Sequence, residues 1–170
     1  DAGHPDLMVA VNLSARQFQR GVVLKQVETA LGESGIPPSK LELELTESVL
    51  MHDGELVTGA LRQLKALGVK LSIDDFGTGY SSFAYLRRFK CDKIKIDQSF
   101  VHDLIDDPDN AAIVRGIISL AQSLGLDVLA EGVENVAVAQ RLKHLRCTYA
   151  QGYYFSRPLR PELFLERVNA

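Results

Sequence analysis

The strongest constraint on the fold is a pair of segments in which charged and apolar residues alternate without a break. In "LELELTE" (41–47), Leu41, Leu43 and Leu45 fall on one face of an extended chain, while Glu42, Glu44 and Thr46 fall on the other. The segment "KIKID" (93–97) repeats this, with Ile94 and Ile96 opposed to Lys93, Lys95 and Asp97. Further β-patterned runs are read over 7–13, 69–75, 126–131 and 148–155, and the "KIKID" run extends over 91–97. Amphipathic helical segments separate these runs, so the order implies right-handed crossovers and a parallel sheet. Parallel sheets flanked by helices are normally apolar on both faces. A row of unpaired charges on one face is too costly to bury in such a sheet. The arrangement that accommodates it is a barrel: the apolar face packs outward on helices, and the polar face turns inward toward one mouth.

The expected fold class is therefore α/β, an incomplete (β/α)8 TIM-type barrel. Closure takes eight strands and about 250 residues, whereas about six βα units are present here. The first strands are missing and are expected to precede residue 1. Residues 1–170 read as one domain, the C-terminal portion of the barrel. Helices are expected over 22–35, 54–68 and within 108–125, each ending at a glycine. A terminal helix, "PELFLERV" (161–168), is expected to pack Leu163, Phe164 and Val168 on the barrel's outside.

Composition narrows the function. With 46% hydrophobic and 24% charged residues, the chain has material for a core. A net charge of -3 and a pI near 5.8 argue against a nucleic-acid polymer or direct membrane contact, since both favour a basic face. No apolar run approaches the roughly 20 residues that cross a bilayer, and the expectation is a cytoplasmic protein. Cys91 and Cys147 lack zinc-like spacing and read as reduced, mostly buried thiols. His4, His52, His102 and His144 show no mutual ligand spacing and read as surface residues.

In barrels of this kind the active site lies at the C-terminal ends of the strands. Here those ends supply Asn12, Glu44, Asp74, Asp75, Asp97, Glu131 and Gln151. Carboxylates with an amide oxygen, and no histidine or cysteine ligand, suit hard cations such as Mg²⁺ or Mn²⁺. The adjacent Asp74 and Asp75 suit two ions, as in two-metal phosphoester sites. Lys95 has two readings: orienting or deprotonating a water near the phosphate, or forming a Schiff base of the aldolase type. The glycines of "DFGTGYSS" (75–82) are either a gating loop beside the metals or an ordinary connection with Ser81 as a helix cap.

In order along the chain, "NLSARQ" (12–17), "ELTES" (44–48), "DDFGTGYSS" (74–82), "KIDQSF" (95–100), "EGVE" (131–134) and "QGYYFSRPL" (151–159) resemble the EAL-domain phosphodiesterases, which hydrolyse the second messenger cyclic di-GMP. The resemblance implies that Asn12, Glu44, Asp74 and Asp75 ligate two ions, with Glu131 a further ligand or a base acting through water. It assigns Lys95 to the attacking water and Gln151 to the surrounding network. Glu47 and Glu134 are expected to support the loop after Asp75. That loop and the helix following it are expected to form a homodimer contact. Ser14, Arg157 and Pro158 are candidate substrate contacts, and Tyr153, Tyr154 and Phe155 either stack a guanine or pack in the barrel. The product would be linear pGpG, and fusion to regulatory domains in a parent protein is expected. The Glu-Ala-Leu triplet that names the family does not occur in these residues. The expectation is therefore a competent parent enzyme and weak or no turnover for this chain. A non-catalytic cyclic di-GMP receptor and an interaction scaffold are the alternatives.

Overall fold

The alternating segments are strands. The computed structural model describes residues 4, 6–19, 21–47, 49, 54–79, 86 and 90–169. His52, Ser81 and most of the loop and helix expected after Asp75 lie outside the described residues. The strands are β1 (Val9–Leu13), β2 (Leu41–Thr46), β3 (Lys70–Phe76), β4 (Lys93–Ile96), β5 (Asp127–Ala130) and β6 (Tyr149–Ala150). The helices among the described residues are α1 (Ala15–Gln19), α2 (Val23–Ser34), α3 (Gly54–Leu67), α4 (Gln98–His102), α5 (Pro108–Ser123), α6 (Val136–His144) and α7 (Pro161–Val168). All neighbouring strands are parallel and lie in sequence order, so each strand pairs with the one before it. This is the stepwise progression of a βα barrel, traced among the described residues over six strands with β1 and β6 at the edges.

The outward faces build the core. Leu41, Leu43 and Leu45 of β2, Leu71 and Ile73 of β3, and Ile94 and Ile96 of β4 join Leu61 and Leu64 of α3 and Val114, Ile118 and Ala121 of α5 in one buried cluster. Each fully buried leucine or isoleucine contributes about 1.5–3 kcal/mol. The inward faces are nearly as secluded: Glu42, Glu44, Ser72 and Lys95 are buried. The alternation thus separates an oily wall from a polar interior within the same strands, as the sequence predicts.

Two expectations are corrected at the C-terminal side. The strand expected over 148–155 stops at Ala150. Gln151 N donates to Ala130 O at 2.9 Å, then the chain folds across the β5–α6 connection, with Tyr154 N donating to Val133 O at 2.9 Å. A Cβ on Gly152 would lie 2.2 Å from Val133 O, so only glycine permits this approach. The aromatic run therefore turns despite its β propensity. The second correction concerns α7, whose Leu163, Phe164 and Val168 are exposed. Phe164 and Val168 border a cleft of about 910 Å³ with Tyr153, Phe155 and Arg157. The helix thus faces the aromatic segment after β6, and its apolar side chains stay exposed.

Candidate metal centre

Lys95 stands at the centre of the polar interior. From mid-β4 its ammonium reaches Glu44 Oε2 of β2 at 2.9 Å, Asp74 Oδ1 of β3 at 2.8 Å and Glu131 Oε1 just past β5 at 2.9 Å. One cation thus gathers carboxylates from three strand ends. Burial alone would lower the lysine's pKa, but hydrogen bonds to Asp74, Glu131 and Glu44 outweigh it and hold the pKa above the ordinary lysine value. A Schiff-base lysine must be neutral to attack a carbonyl, and this environment favours the opposite state. The interior continues below as a second storey, where Lys93 Nζ lies 2.6 Å from Glu42 Oε2 and 5.0 Å from the Tyr149 ring centroid.

Adjacent residues of a regular strand point to opposite faces, so two neighbouring aspartates enter one pocket only where that alternation is broken. The break is present. The β3–β4 register shifts between Ile73 and Phe76, and Asp75 has φ +53°, an unusual backbone for a residue with a side chain. Asp74, Asp75 and Glu131 consequently offer three carboxylate oxygens that all lie within 4.8 Å of one another. Burial raises the Asp75 carboxyl above its ordinary value, and the charges of Asp74 and Asp97 raise it further. Glu131 is also raised, chiefly by burial, although Lys95 opposes the shift. These groups crowd negative charge into a small space that a cation would relieve. The all-oxygen donor set fits a hard divalent ion.

The other predicted residues fall at different distances from this centre. Asn12 sits opposite Glu44 in the β1–β2 register, on the same face of the sheet, but is exposed on the edge strand. Glu44 is not one of the three carboxylates that lie within 4.8 Å of one another, but it shares Lys95 with Asp74 and Glu131. Glu47 is buried, and its carboxylate lies 3.2 Å from where a Gly79 side chain would begin, so it does border the loop after Asp75. Glu134 is exposed and makes no hydrogen bond to the described part of that loop. Gln151 is exposed at the rim, on the wall of the 910 Å³ cleft with Arg157 and Pro158. The Arg157 guanidinium stacks 4.5 Å over the Tyr153 ring. Ser14 directs its backbone N–H and its hydroxyl to Gln17 Oε1 at 2.9 and 3.0 Å, closing the first turn of α1. His102 and His144 are exposed and His4 is half-buried, while both thiols are free.

Asp97 carries more than its place on the rim suggested. Its charge helps raise the Asp75 carboxyl, and its own carboxylate accepts from Ser99 N at 2.9 Å, capping α4. The signal was available, since Asp97 follows Lys95 by two residues and so lies on the same face of its strand.

The EAL domain family matches residues 1–158. The chain is 45% identical over 168 residues to the bifunctional diguanylate cyclase/cyclic di-GMP phosphodiesterase MucR of Pseudomonas aeruginosa, covering 99% of this chain and 24% of MucR. Among solved structures, PaMucR phosphodiesterase in its c-di-GMP complex superposes with a TM-score of 0.92 at 45% identity, over 96% of this chain and 66% of that one. Klebsiella pneumoniae BlrP1, solved with manganese and cyclic di-GMP, gives a TM-score of 0.85 at 32% identity, over 92% of this chain and 40% of that one. The chain thus spans about a quarter of MucR.

Proposed function

Since the chain belongs to the EAL domain family, we propose that it forms the C-terminal portion, residues 1–170, of a phosphodiesterase domain that hydrolyses cyclic di-GMP to linear pGpG. The observation that carries this reading is the convergence of Asp74, Asp75 and Glu131 within 4.8 Å, beside a lysine paired with three carboxylates. Asn12, Glu44, Asp74 and Asp75 would hold the cations, with Glu131 a further ligand or a base acting through water. Two Mg²⁺ or Mn²⁺ ions, when bound, supply charge neutralisation for the phosphate and make water acidic enough to react near neutral pH.

The chain's own groups divide the remaining work. Lys95 stays protonated through the neutral range, so it orients water and carboxylates by donating hydrogen bonds and does not act as the base. Burial raises the Glu131 carboxyl above its ordinary value, which favours a proton-accepting role for it over Lys95. Gln151 lies at the rim beside the aromatic cleft, where Arg157, Pro158 and Tyr153 would meet a guanine or its phosphate. Ser14 sits at the β1 end of the same mouth. Glu47 and Glu134 would support the loop after Asp75.

Homodimerisation through the loop and helix after Asp75, and fusion to regulatory domains, belong to the same proposal. The length of the curated relative supports the fusion. A cytoplasmic setting suits the two free thiols.

The test is incubation with cyclic di-GMP and Mg²⁺ or Mn²⁺, with chromatographic detection of pGpG, on both this chain and a longer parent polypeptide. Product from the parent, and little from the chain that lacks a Glu-Ala-Leu triplet, is expected. Absence of product from the parent at every protein concentration would sink the enzymatic reading. Calorimetric binding of cyclic di-GMP without product would favour a receptor.

A further inference from the structure

The first turn of α4 touches the backbone behind both carboxylate-bearing strand ends. Asp97 precedes the helix and caps it, its side chain accepting from Ser99 N at 2.9 Å. Phe100, one turn in, places its ring beside Gly77, where an added Cβ would come within 3.0 Å of Phe100 Cε2 and 3.5 Å of Ile117 Cδ1. Gly77 has φ +101°, and it sits between Asp75 and Thr78, whose N–H and hydroxyl both donate to Asp75 O, at 3.3 and 2.8 Å. On the opposite flank, Gly132 follows Glu131 directly, and a Cβ there would lie 2.6 Å from Gln98 Cβ. One short helix therefore presses on the turns after Asp75 and after Glu131.

We propose that Phe100 is a positioning residue: its ring, packed on Gly77 beside Ile117, holds Asp75 in its left-handed conformation and so keeps the Asp75 carboxylate within reach of Asp74 and Glu131. A left-handed conformation is costly for a residue bearing a side chain and persists only where its surroundings over-determine it. The turn at Asp75–Thr78 has two local hydrogen bonds, but both lie on its exposed side. The ring supplies the buried side. Removing it leaves space into which the Gly77 turn can relax, and close-packed interiors transmit such changes to their neighbours. The proposal rests on the reading of this cluster as a metal centre.

The test compares Mn²⁺ affinity, by calorimetry on the full chain without substrate, for the wild type, Phe100→Ala, Phe100→Leu and Val138→Ala. The last is a buried truncation on α6 at a residue that is neither a ligand nor in the turn after Asp75. Thermal melts of the metal-free proteins report folding. The expected result is a loss of Mn²⁺ affinity of about 10-fold or more in Phe100→Ala, as for other groups that orient ligands. A smaller loss is expected in Phe100→Leu and none in Val138→Ala. Should Phe100→Ala fail to melt cooperatively, Phe100→Leu decides. Wild-type affinity in the Phe100 variants overturns the positioning role while leaving the metal centre intact, and so does an equal loss in Val138→Ala. A wild-type chain that takes no Mn²⁺ at all overturns the metal-centre reading, and the positioning role falls with it.

Discussion

Lys95 Nζ lies 2.9 Å from Glu131 Oε1, and the same ammonium is 2.8 Å from Asp74 and 2.9 Å from Glu44. Replacing it leaves three largely buried carboxylates without a counter-charge, and breaking a buried ion pair costs about 3–5 kcal/mol. Lys95→Met should therefore lower metal-free unfolding stability by about 3 kcal/mol in urea titrations, with Mn²⁺ restoring part of the loss. The lysine's pKa is raised, so its contribution is fully present below the ordinary value of 10.5 and is lost only as pH rises through the higher folded value. The deficit should then be flat from about pH 6 to 9. A variant as stable as wild type across that range would mean that the four groups are not coupled.

Asp75 separates binding from folding. Its carboxyl is raised by burial and by the charges of Asp74 and Asp97, so its negative charge opposes the metal-free fold. Asparagine also tolerates a left-handed backbone better than most residues. Asp75→Asn should accordingly be at least as stable as wild type without metal. Wild type at a Mn²⁺ concentration about 100-fold above Kd should gain about 2.7 kcal/mol, and the variant should gain little of this. Melting curves with and without Mn²⁺ provide the check, and an undiminished metal-induced shift would remove Asp75 from the ligand set.

The wall of the fold was legible because alternation in "LELELTE" and "KIKID" encodes both faces at once: leucines and isoleucines went to the helices, glutamates and lysines to the interior. The same pattern placed Glu44, Asp74, Lys95 and Glu131 at one mouth. It did not encode how two consecutive aspartates share a pocket, because that depends on the register shift and on the Asp75 backbone. Nor did it show where the last strand ends. Tyr153, Tyr154 and Phe155 favour extended chain by type, yet the contact of Gly152 with Val133, distant in sequence, turns them out of the sheet. Asp97 was legible as a rim residue, but its charge acting on Asp75 required the left-handed turn to be known.

That contact supplies a third prediction. An alanine at Gly152 would bring its Cβ to 2.2 Å from Val133 O and 2.3 Å from Val133 N, so the backbone of one segment must move. Overpacking of this kind typically costs about 1–3 kcal/mol, and more where the obstacle is backbone. Gly152→Ala should destabilise the chain by about 3 kcal/mol in denaturant titrations and should weaken the Tyr154 to Val133 hydrogen bond, seen as faster amide exchange at Tyr154. An unchanged midpoint would show that the β5–α6 connection yields freely.

At the opposite end of the barrel, Asp92 ties three elements together. Its Oδ2 accepts from Lys65 Nζ of α3 at 2.6 Å and from Leu71 N of β3 at 2.9 Å, and its Oδ1 accepts from Lys70 at 3.2 Å. Burial would raise its pKa, but the Lys65 hydrogen bond, aided by Leu71 N and Lys70, holds it below the ordinary value of 3.8. For a depressed carboxyl the stabilising contribution is present above the unfolded pKa and is lost as pH falls through the folded one. Asp92→Asn should thus lose about 1–2 kcal/mol at neutral pH, since asparagine keeps an acceptor for Leu71 N but gives up the charge-assisted bonds. The gap between variant and wild type should stay constant down to about pH 4 and close below it, as the wild-type carboxyl takes up its proton. Parallel urea titrations at neutral pH and near pH 3 would measure this, and a gap that persists undiminished at the lower pH would assign the loss to packing and not to charge.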